Sequence, residues 1–238
     1  ISGLVLTPDG RLLAHDDELG KIYEIDQNRG VILKRFLLAD APHADFEAIT
    51  MVGTDIFLMT SNGVLYQFKE GANGTTVPYT KHDTRLGHEC EFEGVAYEAD
   101  SAWFVMPCKN VRKKSLRDQI VIYRWRMNTP DSVAPSMLTV PVAEVSGSNK
   151  WKVFRTSDIT IDPSTGNYVL ISSQEKGLVE LTPEGDVVRA ELLPGKHHQA
   201  EGVAITKNGI LIVSDKATTK PAAISLYRWR PAPGITAQ

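Results

Sequence analysis

The chain has 238 residues and a formal net charge of −3 at pH 7. This balance argues against a nucleic-acid-binding protein, because such proteins carry a dense surface of Lys and Arg, and the basic run at 112–114 is interpreted as a solvated loop. No apolar stretch is long enough to span a bilayer, so attachment to a membrane would need a segment upstream of Ile1.

Five short motifs recur along the chain, each an acidic or serine-containing turn that leads through a small residue into an apolar strand. Their starts are separated by 45, 46, 64 and 44 residues, and they read Ser2-Gly3-Leu4-Val5, Glu47-Ala48-Ile49-Thr50, Glu93-Gly94-Val95-Ala96, Ser157-Asp158-Ile159-Thr160 and Glu201-Gly202-Val203-Ala204. This period is typical of propeller blades. The sequence therefore predicts an all-β, five-bladed β-propeller with four-stranded antiparallel blades, and a single domain over residues 1–238.

The third and fifth units depart from this period. The third is longer, and its extra residues fall in loops at 109–118, where any helix is expected, and 128–136, before an outer strand predicted at 137–145. The fifth ends in a Pro-rich segment after Tyr227-Arg228-Trp229-Arg230, which is too short for a confident outer strand. We therefore expect a strand from upstream of Ile1 to close the last blade.

The openings SGLVLTPDG, DFEAITMVG and QAEGVAITKNG, together with LVELTPEGDVVRAELLP, resemble the SdiA-regulated domain family over nearly the whole chain. The resemblance implies a five-bladed propeller on the periplasmic side of a bacterial inner membrane, reached through an N-terminal export or anchor segment. Related propellers include calcium-dependent phytases, lactonases and gluconolactonases, but the family itself implies no single activity.

One face of the predicted propeller gathers polar residues, because the start of each innermost strand and the end of the second strand lie together in a meander. The strand starts contribute four carboxylates, Glu47, Glu93, Asp158 and Glu201. Around this mouth of the central channel we expect a ligand-contacting set, His15, Asp16, Lys109, Asn110, Arg155, Asp215 and Lys216.

Converging carboxylates need a positive partner, since two of them about 6 Å apart repel by roughly 3 kcal/mol at an effective dielectric of 20. Calcium is one candidate, because it prefers oxygen ligands, and Ser2 would leave a gap in the ring for water or a ligand oxygen. The alternative is a structural network in which the glutamates accept backbone hydrogen bonds and Lys109 and Lys216 neutralise them. Both readings stay open from the residues alone.

Histidines and cysteines add two further expectations. His43, His88, His197 and His198 precede inner strands, where loop hydrogen bonding is favoured over catalysis because no nucleophile motif accompanies them. Cys90 and Cys108 fall at the same edge of the third unit, so they form either a disulfide, which suits an oxidising compartment, or two buried thiols.

Two classes of function remain. The first is an exported, monomeric binding propeller that takes a small ligand or a protein at a calcium-binding acidic mouth. The second is a metal-dependent hydrolase of phosphoesters or lactones, which would need a basic cluster opposite the carboxylates, with Lys109, Lys216 and Arg155 as its candidates. The residues favour the first class.

Overall fold

A computed structural model of the chain describes residues 1–127 and 134–230. Their strands form five sheets, each built on an antiparallel meander, and the sheets are the blades of a five-bladed β-propeller. The predicted fold class is confirmed, and an inner strand begins close to each of the five repeated motifs.

The first two blades follow the predicted order. Blade 1 contains β1 (Leu4–Leu6), β2 (Leu12–His15), β3 (Lys21–Asp26) and β4 (Val31–Leu38). Blade 2 contains β5 (Phe46–Val52), β6 (Asp55–Thr60) and β7 (Val64–Lys69), and the chain then forms β8 (Thr76–Val77) and β9 (Tyr79–Asp83). Strand β9 completes blade 2, whereas β8 pairs in parallel with β4. The outer edge of blade 1 is therefore covered by a segment of blade 2.

The third blade has an interrupted inner strand. Strands β10 (Cys90–Phe92) and β11 (Ala96–Glu98) both pair with β12 (Trp103–Val111), and β13 (Gln119–Trp125) and β14 (Ser136–Pro141) complete the sheet. A 3₁₀ turn, η1 (Lys114–Leu116), lies in the loop where helix was expected. Of the second predicted loop, residues 128–133 lie outside the described part of the chain.

The predicted outer strand at 137–145 is wrong for its last four residues. After β14 the chain forms α1 (Val142–Ser146) and a second 3₁₀ turn, η2 (Gly147–Asn149). Val142 and Val145 are the buried residues of α1, and their spacing of three places both on one helical face. Gly147 ends the helix with a φ of +42°.

Blades 4 and 5 complete the ring. Blade 4 contains β15 (Asp158–Ile161), β16 (Tyr168–Ser172), β17 (Gly177–Leu181) and β18 (Val187–Leu192). Blade 5 has three strands within the described residues, β19 (Ala200–Ile205), β20 (Ile210–Asp215) and β21 (Ala223–Arg228). The expected contribution of an upstream strand to blade 5 stays a prediction, and residues 231–238 lie outside the described range.

Five inner strands surround the axis in a closed ring. Strand β1 contacts β5 and β19, while β11 contacts β5 and β15, and β15 contacts β19. Each junction between neighbouring blades has its own cluster of buried apolar side chains; the junction of blades 5 and 1, for example, buries Leu4, Leu12, Ala204 and Ile212. The fold is therefore held together by inter-blade cores rather than by one central core.

Small residues at the second position of the repeated motif allow the inner strands to approach. A Cβ at Gly202 would stand 2.6 Å from the Ser2 carbonyl oxygen, and one at Gly94 would stand 2.8 Å from the Ile159 backbone nitrogen. These distances are too short for a side-chain carbon. Gly94 also has a φ of +94°, which other residues rarely adopt.

We expect Gly94→Ala to destabilise the protein more than Gly10→Ala, its matched control. Gly10 has a similar φ of +85°, but nothing lies within 4 Å of its added Cβ. Both variants acquire left-handed strain of about 1–2 kcal/mol. Only Gly94→Ala adds overlap with the next blade, so its free energy of unfolding in urea should fall by roughly 1–3 kcal/mol more. Equal losses would mean that the inner strands can separate freely.

Candidate functional site

Three glutamates meet where the inner strands begin. Glu47 precedes the apolar run of β5, Glu201 lies in β19, and Glu93 lies between β10 and β11. Burial is the main cause of the raised pKa values of Glu47 and Glu93. The charge of Glu93 further raises the pKa of Glu47, and the charge of Glu201 further raises the pKa of Glu93. The three predicted glutamates therefore share one mouth, which we call the acidic mouth.

Two lysines occupy part of the acidic mouth. Lys109 of β12 donates its Nζ to Glu93 Oε1 and lies 3.9 Å from Glu91 Oε1. Lys216, directly after β20, places Nζ 2.8 Å from Asp17 Oδ2 and 3.4 Å from Glu201 Oε2. Glu93 and Glu201 are thus each paired with an ammonium group, as the alternative of a lysine-neutralised network predicts.

Glu47 has no such partner. Among residues 1–127 and 134–230 it forms no ion pair, and its side chain is mostly buried. Burial, followed by the charges of Glu93 and Asp45, raises the pKa of Glu47 to about 9, and burial raises the pKa of Glu93 to about 7 despite its contact with Lys109. The acidic mouth therefore holds more carboxylates than its lysines neutralise, and Glu47 retains a proton at neutral pH.

Asp158 does not share this arrangement. It occupies the position of the small residue in the repeat, and Ser157 is the equivalent of the glutamates. Its Oδ2 accepts the Val203 N–H at 2.8 Å and its Oδ1 accepts the Ile159 N–H at 2.9 Å. Asp158 is 2% exposed, and burial raises its pKa well above the ordinary value. Its carboxyl group joins blade 4 to blade 5.

His15 and Asp16 form hydrogen bonds with backbone groups of blade 1. The Gly3 N–H donates to His15 Nε2 at 3.0 Å, so the ring proton resides on Nδ1, which lies 3.0 Å from the Asp16 carbonyl oxygen. Burial lowers the pKa of His15 to about 4, and the ring is neutral. Asp16 Oδ1 accepts the backbone N–H groups of Glu18 and Leu19. Both predicted ligand contacts are therefore engaged within blade 1: Asp16 holds the turn after β2, and His15 links β2 to the residue before β1.

Asp215 is engaged with the loop before β19. Its Oδ2 lies 2.7 Å from His197 Nδ1, and its Oδ1 accepts the Gln199 N–H at 2.9 Å. His197 Nε2 lies 3.0 Å from both the Pro194 carbonyl oxygen and the Tyr227 hydroxyl. These contacts fasten blade 5 to the preceding loop, which is the loop hydrogen bonding that the sequence favoured for the histidines.

The remaining predicted contacts line a cleft of about 320 Å³ between blades 3 and 4. Lys109, Asn110 and Arg155 lie along it, together with Arg117 and Gln119. Arg155 Nη1 is 3.1 Å from Glu175 Oε1. Because Lys109 also contacts Glu93, the cleft adjoins the acidic mouth, and it supplies polar donors beside the carboxylates.

A disulfide links Cys90 to Cys108, with a Cα–Cα distance of 5.7 Å. It ties β10 to β12 among the buried residues between blades 2 and 3. Lys109 follows Cys108 directly, so this crosslink anchors the strand segment that presents the ammonium group to Glu93.

The predicted calcium ligands do not form a metal cluster as they stand. No group of three or more His, Cys, Asp or Glu residues in the described part of the chain has an arrangement that could hold a metal ion. Calcium takes six to eight oxygen ligands. The carboxylates of Glu93, Glu201 and Asp158 already accept ammonium or backbone N–H groups, so calcium would have to displace both lysines.

Two carboxylates and an amide of the mouth were missed in the sequence. The missed residues are Asp45, Glu91 and Gln199. Asp45 raises the pKa of Glu47, Glu91 lies near Lys109, and the Gln199 side-chain amide donates to Glu201. Each of these residues lies two positions before a glutamate of the mouth. This constant spacing was the signal in the sequence. The pairing of the inner strands is irregular beside each of the three glutamates, so the contacts do not follow from regular strand alternation.

Comparison with known families agrees with the repeat structure. The family model described as SdiA-regulated matches residues 1–219. The chain belongs to the SdiA-regulated family.

Solved structures share the propeller fold at low sequence identity. A protein of unknown function from Bacteroides thetaiotaomicron matches with a TM-score of 0.56 and 11% identity, over 90% of this chain and 52% of that one. A luciferin-regenerating enzyme matches with a TM-score of 0.55 and 8% identity, over 90% and 83%. A putative 6-phosphogluconolactonase from Bacteroides uniformis matches with a TM-score of 0.51 and 14% identity, over 98% and 69%.

These likenesses concern the fold alone. The chain spans about half the length of the Bacteroides thetaiotaomicron protein. Across the described residues, no helix combines the length and apolar character needed to cross a membrane.

The raised pKa of Glu47 predicts a stability that falls with increasing pH. A carboxyl group whose pKa rises from 4.5 to about 9 on folding stabilises the protein below pH 4.5, and this contribution is lost as the pH rises towards 9. We expect the melting temperature to fall between pH 6 and 9, and to fall less in Glu47→Gln. The exposed Glu184→Gln is the control. Parallel curves for the unsubstituted protein and Glu47→Gln would show that Glu47 is ionised throughout.

Proposed function

We propose that this protein is a non-enzymatic binding propeller whose acidic mouth takes up the positively charged group of a small ligand. The observation that carries this proposal is the surplus of carboxylates. Glu47, Glu93 and Glu201 converge with Asp45, while Lys109 and Lys216 supply two ammonium groups. One further positive charge would let Glu47 ionise.

The binding energy comes from replacing a proton by a cation. A buried carboxyl group stays neutral because its charged form loses hydration. A ligand ammonium or guanidinium group beside Glu47 would restore that lost stabilisation through a charge-assisted hydrogen bond. Affinity should therefore rise with pH as the proton on Glu47 becomes easier to remove. The adjoining cleft, with Asn110 and Gln119, offers hydrogen bonds to the rest of the ligand.

Calcium is the alternative cation that the acidic mouth could bind. It is the hard cation that carboxylates and amide oxygens suit best. An organic cation fits the observed arrangement with less rearrangement, because it needs Glu47 and Asp45 rather than the carboxylates that hold Lys109 and Lys216.

The hydrolase alternative receives no comparable support. Its candidate cations Lys109, Lys216 and Arg155 each contact a carboxylate, at Glu93, Glu201 and Glu175 respectively. Lys109 and Arg155 line one cleft, but Lys216 does not line it, and each of the three is already paired. The resemblance of the fold to a lactonase-type propeller at 14% identity does not transfer an activity.

The proposed place of action is an oxidising compartment, such as the periplasmic side of a bacterial inner membrane. The disulfide between Cys90 and Cys108 supports it, because such crosslinks persist where thiols are not kept reduced. Export, and tethering through an upstream segment, belong to this proposal.

Cation titrations test the proposed function. At pH 8, butylammonium chloride or calcium chloride should raise the melting temperature saturably, beyond sodium chloride of equal ionic strength. Loss of a charged hydrogen bond should weaken the effect by about tenfold or more in Glu47→Gln. Glu184→Gln, an exposed glutamate, should behave as the unsubstituted protein. If neither cation stabilises the protein beyond sodium chloride, the acidic mouth is a structural network and the proposal is wrong.

A further inference from the structure

A second cavity lies at the opposite end of the central channel, where the inner strands finish. Its volume is about 600 Å³, within the range of small-molecule sites. It is lined by the second halves of all five inner strands and by the turns that follow them. It shares no lining residue with the acidic mouth, so it is a separate feature of the molecule.

The lining of this distal cavity follows the fivefold repeat. Each inner strand contributes one apolar side chain from the same position of the motif, four residues after its first residue. These side chains are Leu6, Met51, Tyr97, Ile161 and Ile205. Except for Ile205, which is buried, they are partly exposed, and the repeat therefore builds a ring of accessible apolar surface around the axis.

One polar group in the wall has no hydrogen-bond partner within residues 1–127 and 134–230. Gln27, in the turn between β3 and β4, lines the distal cavity, and its buried Oε1 accepts no hydrogen bond from these residues. Leaving an amide oxygen in this state is costly, and native structures seldom do so. A hydrogen-bond donor on a molecule bound in the distal cavity could satisfy this oxygen.

We propose that the distal cavity binds a small molecule with an apolar, ring-sized body and one hydroxyl or N–H donor. The apolar ring at Leu6, Met51, Tyr97, Ile161 and Ile205 would bury the body, and Gln27 Oε1 would accept the donor. This ligand class differs from that of the acidic mouth, which selects positive charge. The protein then carries two sites of opposite chemistry at the two ends of one axis.

Two aromatic probes that differ only in a donor test this assignment. By titration calorimetry, 2-naphthol should bind saturably with one site per chain, and more tightly than 2-methoxynaphthalene by about fivefold, the factor for one net hydrogen bond. Gln27→Leu should remove this preference and leave the binding of 2-methoxynaphthalene unchanged. Equal affinities for the two probes in the unsubstituted protein would overturn the donor-bearing class.

A matched pair of tryptophan substitutions locates the site. Met51→Trp would fill the cavity, and binding of 2-naphthol should fall by at least about tenfold. Met137→Trp makes the same change at a side chain that is 45% exposed on β14, and it should bind as the unsubstituted protein does. Circular dichroism and the melting temperature establish that both variants fold. Undiminished binding in folded Met51→Trp, or no saturable binding at all, would overturn the proposal.

Discussion

The close approach of the five inner strands around the axis is the constraint on which the rest of the structure depends. At Gly94 and Gly202 the backbone of the next blade lies so near that a side-chain carbon would overlap it. Asp158 uses the same proximity, since its carboxyl group accepts a backbone N–H from β19 of the neighbouring blade. The absence of a side chain at Gly94 and Gly202 is therefore a packing requirement.

The two ends of the ring of inner strands differ in chemical character. At one end the residues that begin the strands bring Glu47, Glu93 and Glu201 together, with too few lysines to neutralise them. At the other end the strands present one apolar side chain each, as at Met51 and Tyr97, around a cavity of about 600 Å³. A single repeated motif thus builds a charged site and an apolar site, because its first residue is polar and its fifth is apolar.

The repeat period was enough to predict the blades, since one strand-forming unit recurs with a nearly constant length. The shared position of three glutamates followed from the same alignment. Asp158 was placed in that set although Ser157 is the true equivalent, and a shift of one residue moves a strand side chain to the other face. The helix at Val142–Ser146 was missed because five apolar and polar residues fit either period. The pairing of Lys109 and Lys216 with particular carboxylates could not be predicted either, because it depends on which side chains lie within reach in three dimensions.

The central claim is that Glu47 forms no ion pair within the described residues and therefore holds a proton at neutral pH. Carbon-13 NMR of the side-chain carboxyl groups measures this directly, with Glu47→Gln used to assign the resonance. The account predicts that the resonance missing from the variant titrates near pH 9 in the unsubstituted protein, and that a second mouth glutamate titrates near pH 7. Titration of Glu47 near 4.5, the value of an ordinary exposed glutamate, would contradict it.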